Sequence, residues 1–145
     1  MVVVDANVLL YAVDRDAAHH AAAHAWLDAA LARPEPVGFA WIVVLAFLRL
    51  ATNPAIFPRP LSEDEALGCV EAWLAHPGAV AVEPTPRHFG LLRGLLQAAG
   101  TAANLVNDAH LAALAVEHGA AVASFDRDFQ RFSGLRTVVP SAPRT

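Results

Sequence analysis

The sequence predicts an α/β domain of three layers, α/β/α, built around a central, mostly parallel sheet. Three observations carry this. Val2–Val4 is a continuous apolar run, as expected of a strand buried on both faces, and Ala120–Phe125 is a second, largely apolar run of strand length. Stretches with apolar residues at helical spacing separate the strand-like runs. The connections are also long enough for the crossovers that a parallel sheet needs. At 145 residues the chain makes one domain, residues 1–145, with enough length for a proper core.

Taken in order, the first strand, Val2–Val4, ends in Asp5, followed by Asn7 and the apolar Leu9, Leu10 and Tyr11. Asp14 and Asp16 precede an alanine-rich helix from near Ala17 to near Leu31, with Trp26 and Leu27 on its buried side. His19, His20 and His24 lie on it. The last two have a spacing that can clamp a metal, but no third ligand is near, so a solvent-facing helix is the better reading. Arg33–Pro36 is a turn and Val37–Ala40 a short strand. Trp41–Thr52 reads as a buried helix, polar only at Arg49. Asn53–Pro60 holds three prolines and is loop; its Ile56 and Phe57 must pack against or bind something.

Ser62 and Glu65 form a capping box for a helix to about Ala75, with Ala66, Leu67, Val70, Trp73 and Leu74 along its apolar face. Pro77–Gly78 turns into a strand at Ala79–Val82. Thr85 caps a further helix, with Pro86 at its first position and a stop at Gly100. Asp108 opens the next helix, marked by Leu111, Leu114 and Ala115 and closed by His118 and Gly119. The strand after it, Ala120–Phe125, runs directly into Asp126 and Asp128. A helical turn around Gln130, a strand near Thr137–Val139 and a frayed tail, Pro140–Thr145, complete the chain.

Composition removes several classes. With 56% apolar residues the chain is not disordered. Its longest apolar run, Phe39–Leu48, is too short to span a bilayer, so no membrane role is expected. No basic segment precedes the first apolar residues, which argues against a signal peptide. Cys69 is the only cysteine; it excludes an intrachain disulfide and fits a reducing, cytoplasmic setting. All ten basic side chains are arginine. Without lysine, a P-loop site cannot be assembled, nor can receiver-type or haloacid-dehalogenase-type sites in their usual form. A net charge of −4 is not the footprint of bulk electrostatic binding to nucleic acid. An RNA ligand would need a local arginine patch, and an acidic face suits a basic protein partner equally well.

Two strands therefore end in Asp and a helix begins with one. If those strands are neighbours in a parallel sheet, Asp5, Asp108 and Asp126 converge at the edge where such sheets bind ligands. Two unit charges about 4 Å apart repel by roughly 4 kcal/mol at an effective dielectric of about 20. Either some of the acids protonate or a cation neutralises them. Oxygen ligands in small number, leaving room for water, suit Mg²⁺ or Mn²⁺, ions that promote in-line displacement at a phosphodiester. Each acid alone has a plain explanation as a strand-end turn, a helix cap or a surface charge. Their placement at equivalent ends of elements favours the metal site.

At this point VVVDANVLLYAVD, FLRLATNP and NDAHLAALAVEHGAAVASFDRDF together resemble the PIN domain, and more specifically the VapC toxin half of VapBC toxin–antitoxin pairs. The resemblance covers nearly the whole chain and implies a PIN-like fold with a metal-dependent endoribonuclease activity. It also implies Mg²⁺ or Mn²⁺ as cofactor, a cognate VapB-type antitoxin as partner and a homodimer. Asp5, Asp108 and Asp126 match the family's metal-site and catalytic acids, and Asp128 a further acid used by some members. Asn7 matches the polar residue that orders the site.

The chain departs from the family at Ala46, where a Glu is common. A single ion with several waters is therefore expected rather than two. The alternative is a weakened module that binds RNA or an antitoxin without turnover. Arg49, one turn after Ala46, can reach a phosphate or an internal acid. Arg127 and Arg131 flank the acidic edge as RNA contacts or as ordinary surface charge. Trp41, Ile56, Phe57 and Trp73 serve either the core or a partner.

Overall fold

The computed structural model describes residues 1–142. Five strands form one sheet: β1 (Val2–Val4), β2 (Val37–Ala40), β3 (Ala79–Val82), β4 (Ala121–Ala123) and β5 (Thr137–Val138). Their order is β3-β2-β1-β4-β5, and every neighbouring pair is parallel. The sheet expected to be mostly parallel is thus wholly so. Six helices flank it in an α/β/α arrangement: α1 (Ala6–Val13), α2 (His20–Ala32), α3 (Trp41–Ala51), α4 (Glu63–Leu74), α5 (His88–Ala99) and α6 (Val106–Glu117). Within these layers α1 packs on α2 and α3, α3 on α4, and α5 on α6.

The core follows from the apolar runs. Val3, Val4 and Val122 at the sheet centre are completely enclosed, as are Leu9 of α1, Phe47 of α3 and Leu114 of α6. Gly38 sits in β2 where a Cβ would meet the side chains of Val3 and Val82 at 3.1 Å, so any larger residue would press on the two strands that flank it, β1 and β3. Ser62 and Glu65 form the capping box that starts α4, and Gly119, with φ 65°, lets the chain leave α6 in the left-handed region.

Three expectations change. Helix α2 begins at His20 rather than near Ala17, because the Asp14 carboxylate takes the Asp16 N–H and builds a turn instead of a cap. Helix α3 is not buried all round: Trp41 is 54% and Leu45 60% exposed, while Val43, Val44 and Phe47 face the core. Helix α5 begins at His88, two residues beyond Pro86, for a reason given below. Phe57 does pack, against the core rim and a cavity of about 320 Å³ shared with Leu10 and Leu61, whereas Ile56 stays exposed. Trp73 meets Phe47 edge to face. The His20 ring binds the Tyr11 carbonyl at 2.8 Å, and His24 lies 3.5 Å from Asp28, so the two do not face a shared ion. In the expected tail, Pro140 is buried and Ser141 and Ala142 are exposed, and residues 143–145 lie outside the described residues.

Candidate active site

Strands β1 and β4 lie side by side, so their C-terminal ends reach one edge of the sheet. The Asp5 N–H continues the ladder by one residue, donating to the Ala123 carbonyl at 2.9 Å. The side chain then does two things. Its Oδ1 accepts the Ala6 N–H at 2.8 Å and so caps α1, while Oδ2 accepts the Ser124 hydroxyl at 2.7 Å and, more weakly, the Asn7 amide at 3.3 Å.

Ser124 is the centre of this edge, and sequence reasoning missed it. It is 4% exposed. Its one O–H goes to Asp5, and its lone pairs take the Asn7 amide at 3.0 Å and the Asp126 N–H at 2.9 Å, which uses its full hydrogen-bonding capacity. Asn7 in turn accepts the Phe125 N–H at 3.2 Å. Helix α1 and the turn after β4 are thereby tied together. The only sequence signal was a polar residue between an apolar strand and an Asp.

Asp126 lies at the surface, where its Oδ1 accepts the Asp128 N–H at 2.8 Å and caps a 3₁₀ turn at Arg127–Arg131. Asp108 stands in the first turn of α6, two residues inside the helix rather than at its cap. Burial pushes its carboxyl up to about 6, reinforced by the charges of Asp5, Asp126 and Asp128 and opposed by Arg131. Burial also raises Asp5, against the Ser124 and Ala6 hydrogen bonds, and the Asp126 charge adds to the rise. The four acids therefore feel one another. Even so, among the described residues no three acid, histidine or cysteine side chains form a ready-made ligand cluster.

This donor set fits a hard cation. It offers oxygen only and carries negative charge in excess. It is too sparse to enclose an ion, which matches the way Mg²⁺ takes one or two carboxylates and keeps its waters. Arg49 is exposed and, among the described residues, makes no ion pair; Arg127 and Arg131 are exposed on the 3₁₀ turn.

A second charged cluster lies between α5 and α6. The Glu117 side chain is fully enclosed. It accepts the Thr85 N–H and the His88 ring, and the Arg87 guanidinium donates to its backbone carbonyl at 2.9 Å. The other His88 nitrogen meets His110 at 2.8 Å. Burial pushes the Glu117 carboxyl up, but the bonds from Thr85 and His88 outweigh it and hold the group below its ordinary value. The Thr85 hydroxyl accepts the Arg87 N–H at 3.2 Å, as expected of a cap, but the first turn is closed by the His88 N–H on the Thr85 carbonyl at 3.0 Å and regular helix starts only at His88.

A wholly parallel sheet with acids at the C-terminal ends of two central strands defines the class, a three-layer α/β domain with a candidate cation site at that edge. The PIN domain family matches residues 2–135. Ribonuclease VapC37 of Mycobacterium tuberculosis (strain ATCC 25618 / H37Rv) is 56% identical over 142 residues, which is 98% of this chain and 99% of that protein. Ribonuclease VapC31 of Mycobacterium tuberculosis (strain CDC 1551 / Oshkosh) is 44% identical over 140 residues, covering 97% and 99%. Among solved structures, VapBC2 from Rickettsia felis bound to a promoter DNA fragment shares the fold at TM-score 0.69 and 17% identity, over 95% of this chain and 98% of that one. Mycobacterium tuberculosis VapC20, a Sarcin-Ricin loop cleaving toxin, does so at TM-score 0.64 and 16% identity, over 94% and 99%. The chain belongs to the PIN domain family, in its VapC group. Among the described residues no helix is long and apolar enough to cross a membrane.

Proposed function

We propose that this chain is a metal-dependent endoribonuclease, the toxin of a VapBC-type pair acting in the cytoplasm, and that Asp5, Asp108, Asp126 and Asp128 form its metal site. The observation that carries the reading is the raised Asp108 carboxyl in a cluster of like charges, together with relatives named ribonucleases over almost the whole chain. Uncompensated acids at a sheet edge are poor structure and good cation ligands. Asp5 and Asp108 would hold the ion, with Asp126 and Asp128 adding negative charge beside it. When bound, Mg²⁺ or Mn²⁺ supplies a polarised water and neutralises charge at the scissile phosphate.

The protein's own part is positioning. Ser124 and Asn7 fix the Asp5 rotamer, and the Asp126 cap fixes the turn that carries Arg127 and Arg131 beside the site. Asp126 or Asp128, both exposed, would be the carboxylate that accepts a proton at this edge. Arg49 and Arg127 contact RNA phosphates. Solved relatives of this fold include VapBC complexes, which supports a VapB-type antitoxin as partner; homodimerisation is part of the same reading. The relatives' ribonuclease names give no support to a binding module without turnover.

The test is cleavage of total RNA and tRNA in Mg²⁺, in Mn²⁺ and in chelator. Discrete products that need the metal and vanish in Asp108→Asn are expected. Equal cleavage by that variant would remove Asp108 from the site.

A further inference from the structure

Between α5 and the end of the 3₁₀ turn with the residues that follow it lies an open groove of about 460 Å³, within the range of small-ligand sites. One wall is α5 itself. Gly90, Gly94 and Ala98 recur every fourth residue, so they share a face. Apart from adjoining residues and the helix's own backbone, no heavy atom lies within 4 Å of where a Cβ would stand on Gly90 or Gly94, so the wall is flat, apolar and open. Phe132 and Ser133 line the cavity from the other side, with Arg131. Helix α5 has no fully buried residue, which leaves this face free for a ligand.

Arg131 joins the cavity to the candidate active site. It ends the five-residue 3₁₀ turn capped by Asp126, a rise of about 10 Å, and its charge is felt by Asp108. Among the described residues it makes no ion pair. A cation free to bind an anion, next to a flat apolar slot, matches a nucleotide, which carries its phosphate and its planar ring side by side. An apolar protein side chain would use the slot and leave the guanidinium without an anion.

We propose that this cavity is a nucleobase pocket, which takes one unstacked base of the RNA substrate while Arg131 holds the adjoining phosphate. The proposal rests on the ribonuclease reading and adds to it a determinant of where the strand is cut. Ser133 offers its hydroxyl to the base edge, and the Gly90–Gly94 wall accepts the ring face.

The experiment fills the pocket. Gly94→Leu adds a side chain where nothing stands in the way and replaces a poor helix former by a good one, so its thermal midpoint should not fall. The probe is a single-stranded RNA oligonucleotide that the wild type cleaves, or binds if it cleaves none, and a tiled set lacking the base at each position in turn. Binding is read by fluorescence anisotropy in chelator, and cleavage in Mg²⁺. One abasic position is expected to weaken wild-type binding and kcat/KM about tenfold. Gly94→Leu should lose as much on the intact strand and nothing further on that abasic one, whereas Arg131→Gln should weaken both strands. The pocket is overturned if Gly94→Leu binds and cuts the whole set as the wild type does, or if the two losses multiply. Binding discrimination without cleavage in either metal would instead sink the ribonuclease reading and leave the pocket standing. Loss of antitoxin binding with RNA binding intact assigns the cavity to a protein and overturns the proposal.

Discussion

The protein holds carboxylates in two ways. At the clasp, Glu117 is entirely enclosed yet stays ionised, because Thr85 and His88 each donate to it and no other acid is near. At the sheet edge, Asp108 is only half-buried yet is pushed up to about 6, by burial first and then by the charges of three more acids, against a single opposing arginine. Burial alone does not distinguish the two places; the company of the carboxylate does. One arrangement answers its charge with hydrogen-bond donors within the chain, and the other gathers like charges, which the proposed cation would neutralise.

The comparison makes its largest prediction for catalysis. Asp108→Asn should lower RNA cleavage by a factor of about 10³ or more, since metal and transition-state charge are both lost, while leaving the thermal midpoint in chelator unchanged or slightly higher. A marked loss of stability would mean that Asp108 belongs with Glu117 as a structural group. Glu117→Ala should do the converse. Stranding His88 and the Thr85 N–H in a closed space should cost about 3–5 kcal/mol, visible in a urea melt, with RNA cleavage per folded molecule largely retained. Ser124→Ala tests the link between the two kinds of environment. Losing the donor to Asp5 should raise the Mg²⁺ concentration for half-maximal activity by about 10–100-fold, and Ser124→Thr should recover most of it.

Smaller effects follow from pH. Asp108 binds its proton more tightly folded than unfolded, so in chelator stability should rise as pH falls from about 6 towards 4. Solvent screening limits this to at most about 1 kcal/mol, and saturating Mg²⁺ should reverse the trend. Glu117 has the opposite sign: its contribution is present above its ordinary 4.5 and is lost as pH falls below it. A melt series should therefore show a shallow maximum near the acid end. In Glu117→Gln the acid limb should flatten. Smallest of all, Arg49→Gln should raise KM a few-fold and reduce the salt dependence of RNA binding by about one ion.

Local chemistry made most of the fold legible. The β2 and β3 boundaries, the Ser62–Glu65 box and the Gly100 and Gly119 stops depend on near neighbours in sequence, and the structure has them where the sequence puts them. The parallel order followed from apolar runs separated by crossovers. What could not be read depends on partners far along the chain. Ser124 looks like any polar strand-end residue until Asp5, 119 residues away, is set beside it. Glu117 reads as a surface acid at a helix end until Thr85 and His88 close over it. The exposed face of α3 at Trp41 and Leu45 escaped for the opposite reason, because an all-apolar helix gives no sign of which side the core takes.

The contact between Asp5 and Ser124 also bears on time. The strand that carries Asp5 is the first to be synthesised, and one of the two strands flanking it, β4, is among the last. A chain growing at about 5–20 residues per second must wait several seconds between the two. Until β4 arrives, Asp5 has neither Ser124 to orient it nor Asp126 beside it, and the sheet edge does not exist. A product that ends before β4 therefore lacks Ser124, Asp126 and Asp128, and with them most of the proposed site.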